Sequence, residues 1–152
     1  MAHVRQQIRD HVAAILTPGT IYGDRVFKMR SYPLSEKITN AVCVYTTRAT
    51  YQRETMAGSP AGRIYRAQQT VVVEAFHSGP STSVFDAIDA LSAEIEQKVL
   101  NDPTFGGKVK DVILTSAEQD VNTDGGVAIA SIALEFMVSY RFSPANPEVS
   151  IP

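Results

Sequence analysis

Val127-Ala128-Ile129-Ala130-Ser131-Ile132-Ala133-Leu134-Glu135-Phe136-Met137-Val138-Ser139-Tyr140-Arg141-Phe142 is the stretch on which the fold turns. Ile132, Leu134, Phe136, Val138, Tyr140 and Phe142 fall on every second position, with Ala133, Glu135, Ser139 and Arg141 between them. Successive side chains of a strand point to opposite faces, so this is a strand with one core face and one wetter face. Drawn out straight at ~3.3 Å per residue it would span roughly 50 Å, against roughly 40 Å for a compact domain of this length. The strand is therefore expected to bend or to project.

Working upstream, Asn122-Thr123-Asp124-Gly125-Gly126 contains the Asp-Gly signal of a hairpin, and Lys110 to Val121 supplies the partner strand. Before it, Val84, Ile88, Leu91, Ile95 and Val99 recur at steps of three or four, which predicts a helix with Ser83 and Asp86 as a capping box. Asp86 and Asp89 sit favourably near its positive N-terminus, and Asn101-Asp102-Pro103 stops it. A strand is expected from Arg63 to Phe76, richest in β-branched residues at Thr70-Val71-Val72-Val73 and closed by His77-Ser78-Gly79-Pro80. Arg48 to Gly62 is polar and reads as a long loop or a mobile hairpin. Two shorter strands, Val26 to Ser31 and Ala41 to Thr47, flank a segment containing Pro33. Val4, Ile8, Val12, Ile15 and Leu16 mark a first helix from Val4 to Leu16, ended by Thr17-Pro18-Gly19. Downstream of Phe142 no pattern is present, so residues 143–152 are expected to be a flexible tail on a single domain spanning 1–142.

The order α-β-β-β-α-β-β has too few crossover helices for a parallel sheet. It predicts an α+β fold of two layers, an antiparallel or mixed sheet with both helices on one face. A length of 152 residues with 44% hydrophobic and 20% charged residues fits one such core and excludes a disordered or collagen-like chain. No apolar run approaches the ~20 residues of a bilayer span, and the first residues lack the apolar stretch of a secretory signal, so the expected compartment is the cytosol. A net charge of −2 gives no electrostatic case for nucleic acid or a membrane surface. Residues 1–76 nevertheless carry ten Lys/Arg against five Asp/Glu, and residues 77–152 four against eleven, which leaves +5 and −7. Such asymmetry marks a polarised surface unless the halves interleave in the fold.

Catalytic patterns are missing. Cys43 stands alone between apolar neighbours and is expected to pack as a small hydrophobe. His3, His11 and His77 show no metal-ligand spacing, and Ser78 lacks the glycines of a nucleophile elbow. Gly106-Gly107-Lys108 has Val109 where a phosphate loop needs a hydroxyl and leads into a strand, so it reads as two turn glycines and an exposed lysine. Asp86/Asp89 and Glu94/Glu96 fit a solubilising helix surface better than acid–base work. Arg48, Arg53, Arg63 and Arg66, with Tyr51 and Tyr65 among them, fit a protein contact or a nucleic-acid grip, with solvated loop residues as the plainer alternative.

Several stretches, taken with the element order, resemble the tail terminator proteins of long-tailed bacteriophages, the group that includes minor tail protein U of lambda-like phages. They are Arg5-Gln6-Gln7-Ile8-Arg9-Asp10, Val26-Phe27-Lys28-Met29-Arg30 with Tyr32-Pro33-Leu34, Asp102-Pro103-Thr104-Phe105-Gly106-Gly107 with Leu114-Thr115-Ser116, and Ala133 to Arg141. The resemblance implies a non-enzymatic virion protein without cofactor or metal, located at the head-proximal end of the tail after assembly in the host cytoplasm. Its implied partners are itself, as a six-fold ring that is monomeric when free, the tail tube protein, and the head-completion or neck protein. No specific nucleic-acid or membrane binding is implied. The tube-facing contact is expected on the Arg48 to Gly62 loop, with Arg48, Tyr51, Arg53 and Arg63 as its residues. A neck or head-tail adaptor protein, and a small ligand-binding α+β domain, are the rival readings.

Overall fold

The computed structural model describes residues 2–17, 26–28, 41–54, 62–80, 82–124 and 127–151. Helices α1 (Val4–Leu16) and α2 (Val84–Leu100) cover one face of a six-stranded sheet made of β1 (Val26–Phe27), β2 (Ala41–Arg53), β3 (Tyr65–Gly79), β4 (Asp111–Asp124), β5 (Val127–Ser143) and β6 (Asn146–Ile151). The strand order is β1-β2-β3-β5-β4, with β6 on β5. β1 runs parallel to β2 and every other pair is antiparallel, so the sheet is mixed and the fold is the α+β class that the element order predicts.

The alternation of β5 holds along its length: Ala128, Ala130, Ile132, Leu134, Phe136, Val138 and Tyr140 are all buried. On β3 the matching face is Ala67, Gln69, Val71, Val73 and Ala75. Val84, Ile88, Leu91, Ile95 and Val99 of α2 join Val4, Ile8, Val12 and Leu16 of α1 in the same cluster. Each such side chain removed from water contributes ~1.5–3 kcal/mol, and this shared burial is what holds two short helices that would be marginal alone.

The overlong strand is flanked along its length. β3 accompanies β5 from Tyr65↔Phe142 to Gly79↔Ala128, so β5 does not project alone. Bulges lie between Thr46 and Ala49 on β2 and between Leu114 and Ser116 on β4. Both fall at one level, because Thr46 pairs with Val71, Val71 with Phe136, and Phe136 with Leu114. A bulge bends its strand and increases local twist, so flanking bulges at one level curl the sheet there.

Four expectations are corrected. Of the two readings of Arg48 to Gly62 the loop is set aside and the hairpin kept: Arg48 to Arg53 continues β2, because antiparallel β3 pairs with it down to Arg53↔Tyr65. The rest of the expected loop contributes only Glu54 and Gly62 to the described structure, and 55–61 lie outside it, as do residues 29–31 of the expected Val26 to Ser31 strand; the strand expected from Arg63 begins at Tyr65. The capping box is not made: Ser83 occupies the N-cap of α2, but its hydroxyl lies 3.5 Å from the Pro80 carbonyl and no side chain caps the helix. Residues 143–151 are not a loose tail. Asn146–Ile151 pairs with Arg141 to Ser143, and Gln7 Nε2 donates to Glu148 O at 2.7 Å, so α1 and β5 both hold the segment. Finally, β4 runs on to Asp124, which pairs with Val127.

Candidate functional site

The bulge on β2 decides which way the expected contact residues point. Before it, Val42, Val44 and Thr46 share the helix-side face; after it that face passes to Ala49, Tyr51 and Arg53, opposite Gln69, Ala67 and Tyr65. One extra residue changes the parity of a strand, so the bulge aims Tyr51 to the side where Phe142 lies. Gln69, 1% exposed, supports the irregularity: its Nε2 donates to the carbonyls of Arg48 and Thr70, both at 3.1 Å. A carbonyl withdrawn from water and left unpaired would cost ~1–3 kcal/mol, which gives this amide a role in the middle of a hydrophobic face, while its own Oε1 is buried without a partner among the described residues.

At the end of the sheet, Tyr51 lies edge-on to Phe142 with ring centroids 5.8 Å apart, and Tyr65 stacks on Phe142 at 5.9 Å. Tyr51 is 49% exposed. These three rings and Pro144 line a shallow apolar hollow of about 290 Å³. Arg53 shares the Tyr51 side of β2 and pairs with Tyr65, and Arg63 precedes Tyr65 by two residues; neither lines the hollow, and Arg48 lies farther back, in the bulge.

The opposite face of the same end holds a charged group. Glu54 accepts from Arg141 Nε at 2.7 Å and from Arg66 Nη2 at 3.2 Å, and its backbone N–H donates to Ile64 O at 2.7 Å. The Arg141 hydrogen bond, helped by the charges of both arginines, holds the Glu54 carboxyl below the usual carboxylate range against the opposing effect of desolvation. Arg66, Arg141, Glu54, Gln68, Lys110, Ser139 and Tyr140 line a polar hollow of about 460 Å³. Glu54 and Arg141, 87 positions apart, were not among the expected contact residues, and no spacing rule could have joined them. Tyr140 itself is buried on the helix side. Burial, with Tyr51 nearby and Arg5 opposing, pushes its phenol up to about 12, and its hydroxyl has no partner among the described residues.

The turn between α2 and β4 is built for structure. Asp102 accepts from Thr104 N and Oγ1 at 3.2 and 3.0 Å and from Gly106 N at 2.7 Å, and these bonds, led by that from Gly106, hold its carboxyl below the ordinary range. Phe105 takes a left-handed φ of 49° so that its ring enters the core, 4.5 Å from His11. Gly106 and Gly107, at φ of 69° and 91°, continue a backbone path that other residues rarely adopt. Their N–H groups bond to Asp102 and to the Thr104 carbonyl, so they are not held ready for a phosphate. His3 caps α1 by accepting from Arg5 N at 3.1 Å, and its pKa is lowered chiefly by burial. Among the described residues no group of three His, Cys, Asp or Glu side chains is placed to hold a metal, and no helix is long and apolar enough to cross a membrane.

The arrangement presents an aromatic and arginine surface on one face of a strand end and a charged hollow on the other, both mounted on paired strands. No protein-family model matches this sequence, and no curated protein sequence matches it. Among solved structures, a chain of the "Virion of native gene transfer agent (GTA) particle" is similar at a TM-score of 0.45 and 13% identity, over 90% of this chain and 92% of that one.

Proposed function

We propose that this chain is a structural virion protein that caps the head-proximal end of a phage tail tube as a ring, ends tube polymerisation and offers the surface to which the head attaches. The observation that carries the reading is the end of the β2–β3–β5 sheet, where Tyr51, Tyr65 and Phe142 form a part-exposed apolar seat and Arg53 pairs with Tyr65. Aromatic and arginine side chains are the residues that dominate protein interfaces, and paired strands hold them in place at little entropic cost. We assign the tube-facing contact to Tyr51, Arg53 and Arg63, with Arg48 at its margin. The resemblance of the first helix, the Asp102 to Gly107 turn and the last strand to tail terminators supplies the role, and the partners are further copies in the ring, the tube protein and the head-completion protein. The cap carries out no chemistry and uses no cofactor. A ring built from heterologous contacts must refuse a further tube layer on its outer side, or growth would continue as an open filament.

Deleting the gene from its phage tests the reading. Filled heads without tails, together with tubes of irregular and excessive length, are expected. Normal-length tails joined to heads would refute it, and tails of normal length that fail to join heads would point instead to a neck protein.

A further inference from the structure

The face of the sheet turned away from the helices carries opposite charge at its two ends. Along β3 this face holds Arg66, Gln68, Thr70, Val72 and Glu74. Across the sheet, Arg66 pairs with Arg141; Thr70 with Met137 and then Ile113; Glu74 with Ala133 and then Glu118. Lys110 lies at the arginine end, where its backbone N–H donates to Ser139 O at 2.7 Å, and Glu135 lies near the acidic end, opposite Val72. Gln68, Ile113, Glu118 and Glu135 are exposed, Thr70, Glu74 and Met137 half-buried, and Val72 is buried between its partners Tyr45 and Glu135, while the described helices pack on the other face. On β3, β4 and β5 the polarity is undiluted, with no lysine or arginine from Ala67 to Gln97 or from Asp111 to Tyr140, while on β2 Arg48 lies in the bulge at the level of Thr70.

We propose that a second copy of this chain seats on this face, strands antiparallel, about a two-fold axis along the row Thr70, Met137 and Ile113. That row is four residues from Arg66 and four from Glu74, so a half-turn sets the arginine end of each copy over the acidic end of the other. Arg66 then meets Glu74 of the second copy, Lys110 meets its Glu118, and Arg141 lies over its Ala133 between Glu118 and Glu135. Ile113, 48% exposed, and Met137 meet their own counterparts on the axis. The parallel alternative sets like charge on like and is refused. Glu74 keeps one oxygen for the partner, since the Tyr45 hydroxyl donates to the other at 3.0 Å. Asp111 and Asp120 fall outside these pairs and, with Glu54 already held by two guanidiniums, limit the attraction.

Four strands at ~4.8 Å and eight residues at ~3.3 Å cover on the order of 500 Å² per copy, which is the low end of specific interfaces. The pair is therefore weak, leaves dilute protein monomeric, and is sensitive to salt because its charges lie at a solvated rim. It involves the face opposite Tyr51 and Arg53, and it does not depend on the tail-cap reading.

Sedimentation velocity of the purified full chain over a concentration series, at low and at high salt, is the test, with thermal melts to verify folding. A monomer–dimer equilibrium that weakens with salt is expected. Glu74→Lys with Glu118→Lys should weaken it roughly tenfold or more, and adding Arg66→Glu with Lys110→Glu should restore it. Ile113→Cys should cross-link to a covalent dimer with a short bis-maleimide, while the parent, whose Cys43 is buried, should not. Monomer at every concentration, a dimer indifferent to both sets of reversals, or larger oligomers without the Ile113→Cys cross-link would overturn the proposal.

Discussion

Halfway along β3 and β5 the strand alternation puts Val71, Val73, Leu134 and Phe136 beneath the helices, and at the far end the same alternation puts Tyr65 and Phe142 beside Tyr51 with part of each ring open to solvent. The two regions share strands, face and apolar character. They differ only in whether a helix stripe lies above. A period of two therefore specifies which side of a sheet is apolar, but the layer that packs on it decides whether that side becomes core or an exposed surface for a partner.

The largest test of that difference is truncation. Phe136→Ala or Leu91→Ala is expected to cost roughly 2–5 kcal/mol in urea denaturation, because both side chains are fully packed. Tyr51→Ala, half-exposed, should stay within about 0.5 kcal/mol of the parent. Equal shifts in midpoint would break the comparison, since the sheet end would then be core.

Gln69 stands at the boundary between the regions. Replacing it by Leu keeps the volume but leaves the part-buried carbonyls of Arg48 and Thr70 without this donor, and a loss of roughly 1 kcal/mol is expected. Hydrogen exchange sharpens the point: faster exchange confined to the strand pairs around Ala49 and Tyr51 would show that the amide supports the bulge in particular. Uniformly unchanged exchange would remove that role.

A smaller effect is expected from the turn that feeds β4. Asp102 has a folded pKa below its ordinary value, so its contribution to stability is present above the unfolded pKa and is lost as pH falls through the folded one. In acid titrations the parent should therefore lose its advantage over Asp102→Asn as pH drops from the ordinary carboxylate range downward. Parallel curves for the two proteins would show that the bonds to Thr104 and Gly106 add nothing. The smallest effect on folding belongs to the surface itself. Arg48→Glu, Arg53→Glu and Arg63→Glu together should move the melting midpoint only slightly, since changes at surface residues outside the core usually cost little. The same triple variant should reproduce part of the deletion phenotype in phage assembly, and full assembly would separate these arginines from the proposed tube contact.

What the sequence by itself determined is whatever rests on a local period. Val4–Leu16 begins and ends where its apolar spacing and Thr17 imply, the α2 stripe is buried residue by residue, and the even positions of β5 line the core. Helix and strand periods are properties of neighbouring residues, so they survive without knowledge of the partner. Tertiary structure alone decided the rest. Arg48 to Arg53 carries no strand period and becomes strand because β3 supplies hydrogen-bond partners along its length. Asn146–Ile151 is strand because β5 has an open edge there and Gln7 reaches Glu148. Glu54 meets Arg66 and Arg141 because three separate segments end at one place. Such features are set by backbone pairing and charge contacts between distant residues, whose energy exists only once the fold has brought them together.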